Sequence, residues 1–300
     1  MSATVITRRG PPAPGAAPAA TLSPVVRLRR FLRTPKAWLT LVLLPLLVVA
    51  GSLTGWPAAG PHVLSAVLGA VLADVALARA RRRAWLWPSG ALLSGLIVGF
   101  VLGTETPWVV TLLVAALAPT SKYLVRTGRA QVFNPAGVTL LVSIPLFATG
   151  QSWWGTLADQ PWPWLLLWLA AGVVVVDRLN KFPLVLAFLG PYFALLTLAG
   201  LTGAPQIFHL LRPPFVHSAL FLALFMVTDP PTSPGRPRDQ VWLGGLAAVV
   251  SVTAQLVGAG QAYLLLVLLA MNVALSAQRW LAMSDYGDPT ATRLVTGLYE

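Results

Sequence analysis

Cysteine is absent from the 300-residue sequence, which removes disulfides, thiolate metal sites, Cys-ligated iron–sulfur clusters and thiol nucleophiles together. Any redox centre must then be organic or supplied by a partner. Histidine is scarce: His62, His209 and His217 lie too far apart to form a recognisable metal motif, so no metal site is expected. Charge is scarce as well. Only 10% of the residues are charged, against roughly 25% in soluble domains. Nothing in the sequence makes a catalytic triad or a phosphate-binding glycine loop, and no catalytic residue is assigned.

What is present is apolar, with 56% of residues hydrophobic. A helix needs roughly 20 apolar residues to cross a hydrocarbon core. Ten segments qualify: residues 37–55, 61–77, 88–103, 107–123, 135–149, 162–176, 182–201, 215–228, 241–257 and 262–278. The expected fold is therefore all-α, a polytopic membrane protein of about ten transmembrane helices. Residues 1–36 read as a disordered, basic cytoplasmic tail, 37–280 as the transmembrane domain and 281–300 as a C-terminal cytoplasmic tail.

The net charge of +12 would suggest a polyanion partner if it lined one face of a soluble domain. Its distribution follows topology instead. All but Arg212 of the 21 Lys and Arg residues precede the first span or follow an even-numbered one, as cytoplasmic loops require. Both termini are expected in the cytoplasm, lipid is the expected surrounding, and no nucleic-acid partner is expected. Trp38, Trp56, Trp85, Trp87, Trp108, Trp153, Trp154, Trp162, Trp164, Trp242 and Trp280 cluster at span ends and read as interface anchors. Asp74 and Asp177, beside Arg79 and Arg178, read as paired boundary charges.

A faint internal repeat is visible. Ser89-Gly90-Ala91-Leu92-Leu93 opens span 3 and Ser218-Ala219-Leu220-Phe221-Leu222 opens span 8; Gln131 and Gln261 follow at matching distances. An offset of five spans reverses orientation, so two inverted five-helix repeats are expected. Spans 3 and 8 are short, and both end in an acid near proline, Glu105 and Asp229.

Two junctions differ from apolar filler: Phe133-Asn134-Pro135-Ala136 entering span 5, and Thr228-Asp229-Pro230 leaving span 8. One reading is structural, with Pro135 in a first turn and Asn134 capping it. The other makes Phe133, Asn134, Thr228 and Asp229 a cofactor site, where a helix N-terminus meets an anionic group such as a flavin phosphate.

Ala91-Leu92-Leu93-Ser94-Gly95-Leu96, Ser121-Lys122-Tyr123, Phe133-Asn134-Pro135-Ala136, Phe225-Met226-Val227-Thr228-Asp229-Pro230-Pro231-Thr232-Ser233 and Leu269-Ala270-Met271-Asn272 stand in this order over roughly residues 70–280. The set resembles the D subunit of Rnf-type electron transport complexes and the B subunit of sodium-translocating NADH:quinone reductase. The resemblance implies a flavin-holding subunit, with inverted five-helix halves, of a larger ion-coupled electron transport complex in the bacterial cytoplasmic (inner) membrane. That family attaches FMN covalently to the threonine of a Ser-Gly-Ala-Thr motif, which is missing here between Ala136 and Thr228. The expectation is therefore FMN or riboflavin bound non-covalently, with other electron-transport subunits as partners. The alternative is a cofactor-free transporter or channel for a small solute or ion on the same scaffold. A subunit that carries electrons and one without catalytic activity both remain open.

Overall fold

The computed structural model describes residues 32, 34–81, 88–127 and 130–285. Most of the two expected tails lies outside the described residues, as do Arg82, Arg83, Trp85, Trp87 and Arg129. The helices are α1 (Pro35–Thr54), α2 (Trp56–Ala80), α3 (Ser89–Val101), α4 (Trp108–Leu124), α5 (Pro135–Phe147), α6 (Trp162–Arg178), α7 (Phe182–Leu201), α8 (Phe215–Phe221), α9 (Pro237–Leu256) and α10 (Tyr263–Asp285). α8 runs on into one turn of π-helix, Leu222–Met226. Two-residue strands, β1 (Arg126–Thr127) and β2 (Ala130–Gln131), form a small antiparallel hairpin between α4 and α5.

Proline sets many of these starts. Pro35, Pro57, Pro135, Pro163, Pro183 and Pro237 each occupy one of the first two positions of a helix, where the missing N–H has no intrahelical partner to lose. Thr34 adds a side-chain cap to α1, its hydroxyl accepting from the Ala37 N–H at 3.3 Å.

Among the described residues, four segments are long and apolar enough to cross a membrane unaided: Pro35–Thr54, Trp56–Ala80, Phe182–Leu201 and Gly260–Leu281. The pair Pro205–Leu211 and Phe215–Met226, bent by 58°, makes a fifth if counted as one span. The outward faces match hydrocarbon rather than water. On α2, Leu64, Leu68 and Leu72 are 59%, 42% and 59% exposed, whereas Ala66 and Ala70 on the opposite face are fully buried. Large apolar side chains outside and small ones between helices is the arrangement expected where lipid replaces water. The chain is thus an all-helical protein whose apolar helices are those of a membrane protein.

Contacts between helix ends sort the bundle into two faces. One face gathers the start of α1 and the ends of α2, α4 and α6, through Arg178 stacked 4.6 Å over the Trp38 ring, Lys122 paired with Asp74 at 2.9 Å, and Lys36 and Lys122 lining one cleft. Asp74 therefore pairs with Lys122, and also accepts from the Tyr123 hydroxyl at 3.2 Å. Arg79 lies five residues along α2, roughly 140° around the helix from Asp74. The opposite face holds His62 of α2 beside Thr111 of α4 at 3.3 Å, and His217 of α8 with its Nδ1 3.2 Å from the Thr156 carbonyl.

On that second face Trp153 and Trp154 depart from the anchor role. Trp153 is 5% exposed, and the Trp154 indole N–H donates to the Gly99 carbonyl at 2.6 Å. They belong to an aromatic core: Trp154 stacks on Phe100, Phe221 packs against Phe100, Trp153 and Trp168, and Trp168 meets Phe225. Trp56, Trp108, Trp162, Trp242 and Trp280 keep the exposed placement of anchors.

α3 and α8 sit innermost. Ten of the 13 residues of α3 are buried, and so is every residue from Leu222 to Met226. Around them α2 packs on α4 and α7 on α9, each pair brought close at a glycine. A Cβ on Gly69 would lie 2.2 Å from the Leu112 carbonyl oxygen, and one on Gly244 would lie 2.6 Å from that of Leu184.

Candidate functional site

The start of α5 is built by Asn134 and Pro135. The Asn134 side-chain oxygen accepts from the Gly137 N–H at 3.0 Å, an ordinary N-cap bond. Its remaining groups reach out of the helix. The Asn134 backbone N–H donates to Asn272 Oδ1 of α10 at 2.7 Å, and its side-chain amide donates to the Met226 carbonyl at 3.4 Å and to Asp229 Oδ2 at 3.5 Å. Asn272 in turn donates to the Thr232 carbonyl at 3.1 Å, and the Thr232 hydroxyl donates to Asp229 Oδ2 at 3.0 Å. Four buried polar residues from three separate stretches of chain thus satisfy one another, as buried polar groups must.

Asn134 and Asp229 of this network form one wall of a cleft with about 530 Å³ of empty space, its open mouth included, and Asn272 and Thr232 brace them from behind. The first turns of α3 (Gly90, Ala91, Ser94) form the facing wall, while Ile97 and Phe225 supply an apolar lining. Lys36 of α1, Lys122 of α4 and Gln131 of β2 complete the lining. Pro88, the residue preceding α3, gives it no side-chain cap, and a Cβ on Gly90 would lie 3.3 Å from the Lys36 ammonium. The uncapped positive end of a helix therefore lies at the cleft beside Lys36, with Lys122 also present but paired with Asp74, and the helix end and Lys36 favour an anion.

Asp229 is the opposing charge. Burial pushes its carboxyl above the ordinary aspartate value, while Lys36, the Thr232 hydroxyl and Lys181 pull it back. Lys181, in the turn between α6 and α7, is 5% exposed and its ammonium donates to the Pro234 carbonyl. Burial lowers it to about 8, against the pull of Asp229 and with the help of Arg279.

Of the residues singled out in the sequence, Asn134 and Asp229 meet and line the cleft. Thr228 is fully buried with its hydroxyl turned back to the Leu224 carbonyl at 2.8 Å, and Phe133 is half-buried and not among the lining residues. The α5 terminus is engaged by its own Asn134, and the end that faces the cleft uncapped is that of α3. Lys36 carries no local signal beyond its charge, whereas Lys122 stands in the Ser121-Lys122-Tyr123 stretch. Asn272 does carry one, as the polar residue closing the Leu269–Asn272 stretch.

The chain matches no protein-family model, and a search of curated proteins finds no match. The cleft brings together Lys36, the Asp74-paired Lys122, the Asp229 carboxyl, the start of α3, the Asn134 and Gln131 amides and the apolar Ile97 and Phe225.

Proposed function

We propose that the chain is an integral membrane subunit of an Rnf/Nqr-like electron transport system, holding FMN or riboflavin non-covalently in the cleft. The observation that carries the reading is that Asn134 and Asp229, 95 residues apart and each within a motif of the resemblance, meet beside Lys36 and Lys122. In this reading a flavin phosphate lies toward Lys36 and the α3 N-terminus, and the ring system lies against Ile97 and Phe225. The chain crosses the bilayer ten times as two inverted halves, with α2 on α4 repeated by α7 on α9, and its basic face lies in the cytoplasm of a bacterium.

Protein purified in mild detergent is expected to retain or rebind FMN, seen as flavin absorbance and as saturable quenching of flavin fluorescence. Lys36→Ala should weaken that binding about tenfold, the loss of one charge-assisted contact. Absence of retained flavin together with no saturable binding would remove the reading. Fluorescent tags at the two ends should report the same compartment, and tags in opposite compartments would overturn the even number of crossings.

The 58° break ahead of Phe215 and the buried Asp229 favour a second reading, a cofactor-free transporter or channel for a small solute or ion. It predicts solute or ion flux into vesicles containing this chain alone, without a redox partner.

A further inference from the structure

An anion in the cleft shares it with a buried carboxylate. Asp229 lines the same space as Lys36 and Lys122, yet Lys122 already serves Asp74 and Lys181 is tied to the Pro234 carbonyl. The direct hydrogen bonds to the Asp229 side chain come from neutral groups, the Thr232 hydroxyl and the Asn134 amide. Cationic groups approach from α1 (Lys36), α4 (Lys122), the α6–α7 turn (Lys181) and α10 (Arg279, which donates to the Pro231 carbonyl at 3.1 Å). A bound phosphate would compete with ionised Asp229 for the pull of Lys36, which lines the cleft, and would repel the carboxylate.

We infer that anion binding in this cleft is proton-linked: the ligand enters together with one proton, which Asp229 takes up. The inference rests on the cofactor reading above and specifies how that site is regulated. Burial already holds the Asp229 carboxyl above its ordinary value, and an adjacent anion acts in the same direction. Affinity is therefore greatest below the Asp229 pKa of the empty cleft. It falls as pH rises, by at most about tenfold per pH unit for a single proton, and levels off once pH exceeds the Asp229 pKa of the occupied cleft. A protonated Asp229 also becomes a donor, so the group that repels the ligand at high pH can hydrogen-bond to it at low pH.

The test is FMN affinity by fluorescence quenching between pH 6 and 8, on wild-type protein and on Asp229→Asn. The asparagine variant has lost the linked proton but keeps the ligand's own titration; it also loses the pull of Asp229 on Lys181, so the comparison is repeated in a Lys181→Gln background, where the ratio of the two affinities isolates Asp229. The expected result is a wild-type affinity that falls at least about fivefold more across the range than that of the variant. A constant ratio, with both proteins binding, overturns the linkage and leaves the cofactor reading standing. No binding by either protein at any pH overturns both. Should Asp229→Asn fail to fold, calorimetry of wild-type protein at pH 7 in two buffers of different ionisation enthalpy gives the same answer. Proton uptake on adding FMN is expected, and zero uptake or release overturns the inference. Inorganic sulfate, which does not titrate in this range, is the control probe, and proton uptake on adding it belongs to the protein.

Discussion

Alanine at Gly244 is expected to destabilise the protein by about 1–3 kcal/mol, the usual cost of overpacking a filled contact, while alanine at the adjacent Gly245 is expected to be neutral or stabilising. The difference comes from a single step around α9. A Cβ at Gly244 would meet the Leu184 carbonyl oxygen at 2.6 Å and the backbone nitrogen of Phe188 at 3.1 Å, whereas nothing lies within 4 Å of a Cβ at Gly245. The Gly245 change keeps only the helix-propensity gain of roughly 0.5–1 kcal/mol. Gly69→Ala belongs with Gly244→Ala and should be the more severe, since its Cβ would lie 2.2 Å from the Leu112 carbonyl oxygen. Thermal unfolding in detergent separates these outcomes. Equal midpoints for the Gly244 and Gly245 variants would mean that α7 and α9 do not approach as described.

Asn272→Ala should lower the unfolding midpoint and abolish tight ligand binding together. The substitution leaves the Asn134 backbone N–H and the Thr232 carbonyl without their partner in a buried setting, at about 1–3 kcal/mol for each group. Asn272→Asp separates the two halves of the argument, because it keeps an acceptor for Asn134 but loses the donor to Thr232 and adds a negative charge beside Asp229. Its binding loss should exceed its stability loss when compared with Asn272→Ala. An Asn272→Ala protein with wild-type midpoint and wild-type FMN affinity would remove Asn272 from the site.

The parts of this fold that were legible in the sequence are those governed by local chemistry. Pro135 after Asn134 marks a helix start because each residue type suits its position whatever lies around it, and the structure places both there. Basic residues at helix ends were readable for a similar reason: Lys36 and Lys122 line one cleft, Arg178 stacks on Trp38 of the helix that carries Lys36, and Arg279 reaches the carbonyl of Pro231, which lines that cleft. Pairings between distant positions were not readable. Asp74 had Arg79 for a neighbour in sequence, yet helical geometry turns Arg79 away and tertiary packing brings Lys122, 48 residues later, to the carboxylate. Asn272 meets Asn134 across 138 positions, and no spacing rule predicts that. Trp153 and Trp154 misled because an aromatic residue near a helix end has two stable destinations, the lipid interface or a packed core, and only the identity of its neighbours decides. The π-turn at Leu222–Met226 left no proline or glycine as a marker.

The cleft is also a seam between two lengths of chain. Its walls draw on α3 and the start of α5 from the earlier length, and on the end of α8 and the Asp229 strap from the later one. A chain severed between Phe147 and Trp162 would leave Asn134 on one piece and both Asp229 and Asn272 on the other. Neither piece would hold a cavity, however well it folded. The chamber exists only once the two parts have docked, so an occupant that grips both walls must act as a clasp between them.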